Sequence, residues 1–374
     1  MAKCPNCEAQ IAWDAERCPK CPAIFSGDGA WNPLPETIDE RRALQQKFRG
    51  FTNPLAKSPD GLPFAGWWPL LGGALVGVVL RLAFSGKAGG AFAPMMMSFI
   101  YLAPVLVGAT TVYLAERQHR RSWWYYFWAP FLATLLFVAG TMAILIEGLI
   151  CAVVIFPLFT AIGTAGGLAM GIVCRVTNWP RQTIYSLAVL PLVLGGLEGN
   201  LATPTQLGAV ERTVLIRAAP ETVWRHIMEA RDIRPGEVEH AWIFRIGVPL
   251  PLAGVVEATP EGPVRKMRMG KDVHYDQVFA ESRANRYVRW TYRLYPDSFP
   301  PYALDDHVLI GGYYFDVKDT SYTLAQVAGG TALTVRMGYR VTTQFNWYSE
   351  PLARLLLGNF EDVVLEFYRR RSER

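Results

Sequence analysis

Between residues 65 and 201 apolar side chains run in blocks too long for a soluble core, since a helix needs about 20 consecutive apolar residues to cross a bilayer. Five such blocks stand out, at 65–84, 92–115, 123–146, 148–173 and 183–201, the last interrupted by Pro191, Gly195, Gly196 and Glu198. Past residue 210 the period changes. Short alternating runs predict strands over 211–217, 273–281, 286–294, 312–315, 320–327 and 331–343. In the last of these Leu333, Val335, Met337, Tyr339 and Val341 share one face, with Thr334, Arg336, Arg340 and Thr342 on the other. Pro220 suits the first turn of a short helix. Leu352, Leu355, Leu356, Phe360, Val363, Val364 and Phe367 stripe a closing helix. The pattern is that of a multi-domain membrane protein, with about five transmembrane helices over 65–201 and an α+β layer over 210–374 whose sheet wraps the last helix. Ahead of both lie a cysteine-bearing segment, 1–30, and a Pro-rich linker, 31–64, in which a capping box from Thr37 to Glu40 opens a short helix that Gly50 ends.

Basic residues orient the blocks, because positively charged loops resist translocation. Lys47, Arg49 and Lys57 precede the first block, Arg117, Arg120 and Arg121 follow the second, and Arg175 and Arg181 follow the fourth. The other side has only Arg81 and Lys87. This predicts an inner-membrane protein with a cytoplasmic N-terminus. Trp67, Trp68, Trp123, Trp124, Tyr125, Tyr126, Trp128 and Trp179 belong at the cytoplasmic boundary. Five spans leave the C-terminal domain periplasmic and an even count would keep it inside, so the interrupted fifth block decides its side. No cleavable leader is expected, as the first apolar run begins only after about 60 residues.

Composition refines this. The formal charge of +5 in 374 residues divides into balance before residue 65, +4 over 65–209 and +1 over 210–374. The excess is therefore topological, and no basic face for nucleic acid is present. Of six cysteines, Cys4, Cys7, Cys18 and Cys21 form two Cys-x-x-Cys knuckles separated by ten residues, while Cys151 and Cys174 lie within or beside spans. Four thiolates satisfy tetrahedral zinc with no position left for water, so the expected cofactor is structural zinc, and a segment too short for a core would draw its folding energy from that metal. The stretch resembles the short zinc ribbons at the N-termini of many bacterial membrane proteins, departing from them at Pro22, where Gly usually follows the last cysteine.

Three ionisable residues fall inside or at the ends of the apolar blocks: Arg81, Glu147 and Glu198. Charges at membrane depth are costly and usually face a partner or a cavity; at block ends they can also reach water. The predicted topology puts all three toward the outer face.

The run TVLIRAAPETVW, the Gly330–Thr331 hairpin and the terminal helix resemble the START-like superfamily, also called the polyketide cyclase and lipid-transport (SRPBCC) superfamily. The fragment EGLICAVVIFPLF, through Glu147, Cys151 and Pro157, resembles a segment of bacterial membrane proteins that carry this domain. The resemblance implies an α+β helix-grip domain with an apolar cavity between sheet and helix, and implies binding or transfer of a lipid or other hydrophobic molecule. Strand parity nominates Tyr275, Phe279, Trp290, Tyr292, Met337, Tyr339 and Phe360 for the cavity or for an ordinary core. The segment 296–312 is long for a strand connection, and Asp305, Asp306 and His307 are its densest polar group. They are the candidates for an alternative activity of cyclase or hydrolase type, although the sequence supplies no nucleophile beside them; a surface loop or a hydrogen-bonded hinge is the plainer reading. A third reading is a ligand sensor or scaffold that signals through the ribbon to a cytoplasmic protein partner.

Overall fold

The computed structural model describes residues 2–4, 7–12, 15–21, 23, 34–35 and 66–374, apart from 118–119, 178–180, 200 and 302. The helix expected within 37–50, the turn at Pro22 and the belt residue Trp179 lie outside the described residues. The chain divides into two compact units, 1–65 and 66–374. In the first, β1 (Ala2–Lys3) pairs antiparallel with both β2 (Gln10–Ile11) and β3 (Leu34–Pro35).

The second unit opens with the apolar blocks, folded as α1 (Trp68–Ala83), α2 (Met97–Glu116), α3 (Trp123–Ala143), α4 (Leu149–Thr177) and α5 (Arg181–Glu198). Of the described residues, three helices, α2, α3 and α4, are long and apolar enough to cross a membrane, whereas α1 and the described apolar part of α5 are shorter. Prolines 104, 130, 157 and 191 sit inside helices that continue past them, as helices surrounded by other helices tolerate. Small residues set the packing: a Cβ on Gly108 of α2 would lie 1.8 Å from the carbonyl oxygen of Gly163 in α4, so the two backbones touch.

From residue 205 the chain forms an eight-stranded antiparallel sheet of order β4-β11-β10-β9-β8-β7-β6-β5. Its strands are β4 (Thr205–Ile216), β5 (Glu229–Ala230), β6 (Pro251–Thr259), β7 (Gly262–Met269), β8 (His274–Arg283), β9 (Tyr287–Arg293), β10 (Phe315–Val327) and β11 (Gly330–Thr342). Helix α6 (Pro220–Met228) and the short α7 (Pro235–Val238) and α8 (Trp242–Arg245) connect the early strands. The sheet curls around the closing helix α9 (Asn346–Ser372), which gives an α+β helix-grip arrangement. Leu333, Val335, Met337, Tyr339 and Val341 are all buried, as their alternation requires. The segment 312–315 is not a strand of its own; its last residue begins β10. The β6–β7 hairpin, absent from the pattern-based reading, turns at Gly262, whose φ of +116° suits glycine.

The sheet domain is seated on the bundle. Phe345, just ahead of α9, is buried in the bundle's own core with Phe99, Phe137 and Phe159. The Tyr348 hydroxyl donates to the Val154 carbonyl at 2.7 Å, and Trp347 Nε1 donates to the Tyr101 hydroxyl at 2.7 Å.

Candidate functional site

A cavity of about 270 Å³ runs between the two halves of this unit. Bundle residues Phe99, Ile100, Phe137, Ile150, Cys151, Ile155 and Phe159 line part of it, and Tyr275, Tyr292, Met337, Leu356, Leu357 and Phe360 line part from the sheet and α9. Of the residues nominated from strand parity, Tyr275, Tyr292, Met337 and Phe360 therefore face the cavity. The other three pack elsewhere: Trp290 is wholly buried against Phe279 and Tyr322, and the Tyr339 hydroxyl donates to Glu350 at 2.7 Å.

One charged side chain in the cavity wall comes from a strand the sequence pattern did not reveal. Arg265 of β7 is 4% exposed. Its Nη1 donates to Gln277 Oε1 at 2.7 Å and approaches Met267 Sδ at 3.0 Å, and its Nη2 donates to the Tyr368 hydroxyl at 3.1 Å. The guanidinium also lies over the Trp290 ring, 5.1 Å from its centroid. Gly254 on the paired strand β6 leaves room for it, since a Cβ there would come within 2.5 Å of Nη2. Among the described residues no carboxylate forms an ion pair with Arg265, and its Nε has no hydrogen-bond partner. A buried cation without a counter-charge is expensive. Its position was legible in principle: Arg265 falls in phase with Met267 and Met269, which are both buried.

The second polar feature gathers residues from both halves. Arg81 in the last turn of α1, Glu147 in the α3–α4 turn and Cys151 in the first turn of α4 meet Asp305 and His307 from the loop between β9 and β10. The Arg81 Nε donates to Glu147 Oε1, and Arg81 Nη1 donates to the Phe84 carbonyl at 2.9 Å. His307 Nδ1 lies 2.6 Å from Asp305 Oδ1, 3.7 Å from Glu147 Oε2 and 3.8 Å from Cys151 Sγ. The other Asp305 oxygen accepts from the Gly148 amide at 2.7 Å, so a carboxylate of the sheet domain caps a bundle helix. Burial alone would lower the His307 pKa, but the Asp305 hydrogen bond and the charges of Glu147 and Asp305 outweigh it and raise the pKa above its ordinary value. Burial pulls Asp305 the opposite way, yet His307 and the amides of His307 and Gly148 hold its carboxyl well below the usual range. Of the plainer reading, a surface loop or a hydrogen-bonded hinge, the hydrogen bonding is present between His307 and Asp305, but the two side chains are buried rather than at the surface; of the three residues Asp306 alone is exposed.

Glu198, the third ionisable residue of the apolar blocks, stands apart from this cluster. Its carboxylate accepts from the amides of Met97 and Ser98 at 2.7 and 2.9 Å and caps α2.

In the first unit, Cys4, Cys7, Cys18 and Cys21 bring their sulfurs within 4.8 Å of one another. Cys4 and Cys21 are 3.6 Å apart, and Cys7 and Cys18 are 3.5 Å apart. Bonds of about 2.3 Å to zinc give tetrahedral sulfur–sulfur edges of about 3.8 Å, whereas a disulfide measures about 2.05 Å. The Lys20 amide also donates to Cys18 Sγ at 3.4 Å. The donor set and spacing fit a metal ion.

No family model matches the chain, and no curated protein does. Solved structures do match. The di-domain ARO/CYC StfQ from the steffimycin biosynthetic pathway aligns at 14% identity and TM-score 0.31, over 51% of this chain and 59% of its own. A START superfamily protein from Mycobacterium smegmatis aligns at 11% identity and TM-score 0.29, over 44% of this chain and 97% of its own. A protein of unknown function, SA2116 from Staphylococcus aureus, aligns at 10% identity and TM-score 0.29, over 45% and 94%.

Proposed function

We propose that this is a membrane-anchored START-like protein that takes an acidic amphiphile from the bilayer and holds it in the shared cavity, its anionic group paired with Arg265. The observation that carries the reading is a buried guanidinium that, among the described residues, has no carboxylate partner, in a cavity walled mainly by apolar and aromatic side chains, whose other charged groups, Arg81, Glu147 and His307, are paired with one another or with Asp305. Continuity of the cavity with the bundle supports delivery from lipid, because Phe99, Ile155 and Phe159 belong both to its wall and to helices α2 and α4. The volume, about 270 Å³, is near the lower end of the roughly 300–1,000 Å³ of small-molecule sites. That favours a single acyl chain or a compact ring system over a two-chain phospholipid. The four N-terminal cysteines are read as a structural zinc ribbon, and the basic loops as placing the N-terminus in the cytoplasm.

The test uses the full chain in detergent or nanodiscs with a fluorescent fatty acid and its methyl ester. A hydrogen-bonded charge contributes about 1.5–3 kcal/mol, so the acid is expected to bind at least about tenfold more tightly than the ester. Arg265→Met should abolish that preference while leaving ester binding in place, and should not unfold the domain, since it removes an unpaired buried charge. Equal binding of acid and ester by the wild-type chain, or uptake of neither, would sink the reading.

A further inference from the structure

Glu147, Cys151, Asp305 and His307 do more than pair charges across the seam. From their geometry we infer a second metal site, a four-coordinate centre for a zinc-class divalent ion, built half from the bundle and half from the sheet domain. The four donor atoms already lie within 4.8 Å of one another. A four-coordinate ion with bonds of about 2.0–2.3 Å to N, O and S has donor–donor edges of roughly 3.3–3.8 Å, and His307 Nδ1 stands 3.7 Å from Glu147 Oε2 and 3.8 Å from Cys151 Sγ. The 2.6 Å contact between His307 and Asp305 is shorter than such an edge. It is a hydrogen bond that opens when the ion takes its place.

The arrangement around the donors is what distinguishes a prepared site from a chance cluster. Each carboxylate has one oxygen held by the bundle and the other turned toward His307: Glu147 Oε1 is fixed by Arg81, leaving Oε2, and Asp305 Oδ2 is fixed by the Gly148 amide, while Oδ1 accepts from the His307 amide at 3.0 Å and keeps its second lone pair for the ion. Outer hydrogen bonds of this kind orient metal ligands. Cys151 and His307 are themselves buried. One imidazole, one thiolate and two carboxylates form a mixed borderline donor set suited to zinc and its first-row neighbours rather than to calcium or magnesium. A doubly charged ion, three anionic ligands and the Arg81 guanidinium sum to neutrality, as a buried site requires. Because two ligands come from each half, the ion clasps the domain to the bundle at the wall of the cavity, where Glu147, Cys151 and His307 are exposed to a bound molecule.

Metal content of the purified full chain tests this without any lipid ligand. The wild-type protein is expected to carry two equivalents of zinc, and the variant with Cys4, Cys7, Cys18 and Cys21 all changed to Ser is expected to keep one. Loaded with cobalt(II) instead, that variant should show the thiolate-to-cobalt charge-transfer band and the intense visible bands of a four-coordinate centre. Adding Cys151→Ser should remove the charge-transfer band, and adding His307→Ala should lower the affinity at least tenfold. If the wild-type chain holds a single equivalent that vanishes with the N-terminal cysteines, the site does not exist. If the cobalt-loaded ribbon variant lacks the charge-transfer band, Cys151 is not a ligand and the assignment falls.

Discussion

Glu361 shows how a single side chain can be in register with a core and at odds with it. It lies on the buried face of α9, one turn from Leu357 and Leu365, and is wholly inaccessible. Neither carboxylate oxygen makes a well-formed hydrogen bond. Burial pushes its pKa up to about 8, and the Met337 amide offsets that only in part. The folded-state pKa is thus above the unfolded one, so the neutral acid favours folding fully below about pH 4.5. That contribution fades as pH rises through 8 and the core must accept a charge. Glu361→Gln is expected to leave stability at pH 4.5 nearly unchanged and to raise it at pH 8–9 by about 1–3 kcal/mol. Thermal unfolding of the full chain in detergent across that range checks it; parallel pH profiles for the two proteins would refute it. A Glu in phase with leucines is invisible to a hydrophobic-stripe reading, and so is Arg265 in phase with Met267 and Met269. Where burial follows apolar alternation, as in β11, or ligands share one motif, as in the ribbon cysteines, the sequence is readable residue by residue. The Glu147–Cys151–Asp305–His307 cluster is not, because its two pairs lie more than 150 positions apart and meet only through docking.

At the scale of elements, every apolar block corresponds to a helix, but in all save the fourth the block is longer than the helix it forms. The first block yields a helix of 16 residues, because Pro69 must sit in its first turn and the chain turns away at Phe84. The β6–β7 hairpin leaves no clear strand pattern in the sequence because charged residues interrupt its apolar alternation. The glycines of α4, readable only as small-residue spacing, acquire a specific partner in the fold. With 1.8 Å between a Gly108 Cβ and the Gly163 oxygen, Gly108→Ala forces α2 and α4 apart. A Cβ on Gly140 of α3 meets only Val78 Cγ2, at 3.3 Å. Gly108→Ala is therefore expected to destabilise the bundle by at least about 2 kcal/mol through overpacking, against little change or a small gain for Gly140→Ala. Melting of both variants in the same detergent decides the matter, and equal melting temperatures would contradict the backbone contact.

For the whole molecule, sequence treats the sheet domain as a tethered body, and the structure makes it a docked one. Only six residues separate the end of α5 at Glu198 from the start of β4 at Thr205, and Phe345, Tyr348 and Asp305 all reach into or cap the bundle. If the cavity fills from the bilayer, this seam is the route, and loosening it should slow filling while leaving the domain folded. Phe345→Ala combined with Tyr348→Phe removes a buried ring and one hydrogen bond, together worth about 3–5 kcal/mol of docking. In vesicles, amide hydrogen exchange over residues 295–314 should rise as the loop bearing Asp305 and His307 loses its cover, while the strand amides of β10 and β11 stay protected. Uptake of a vesicle-borne fluorescent fatty acid by the same variant should fall severalfold in rate. Faster exchange with unchanged uptake would mean that the ligand enters from water, past the sheet, and that the bundle serves as anchor rather than as conduit.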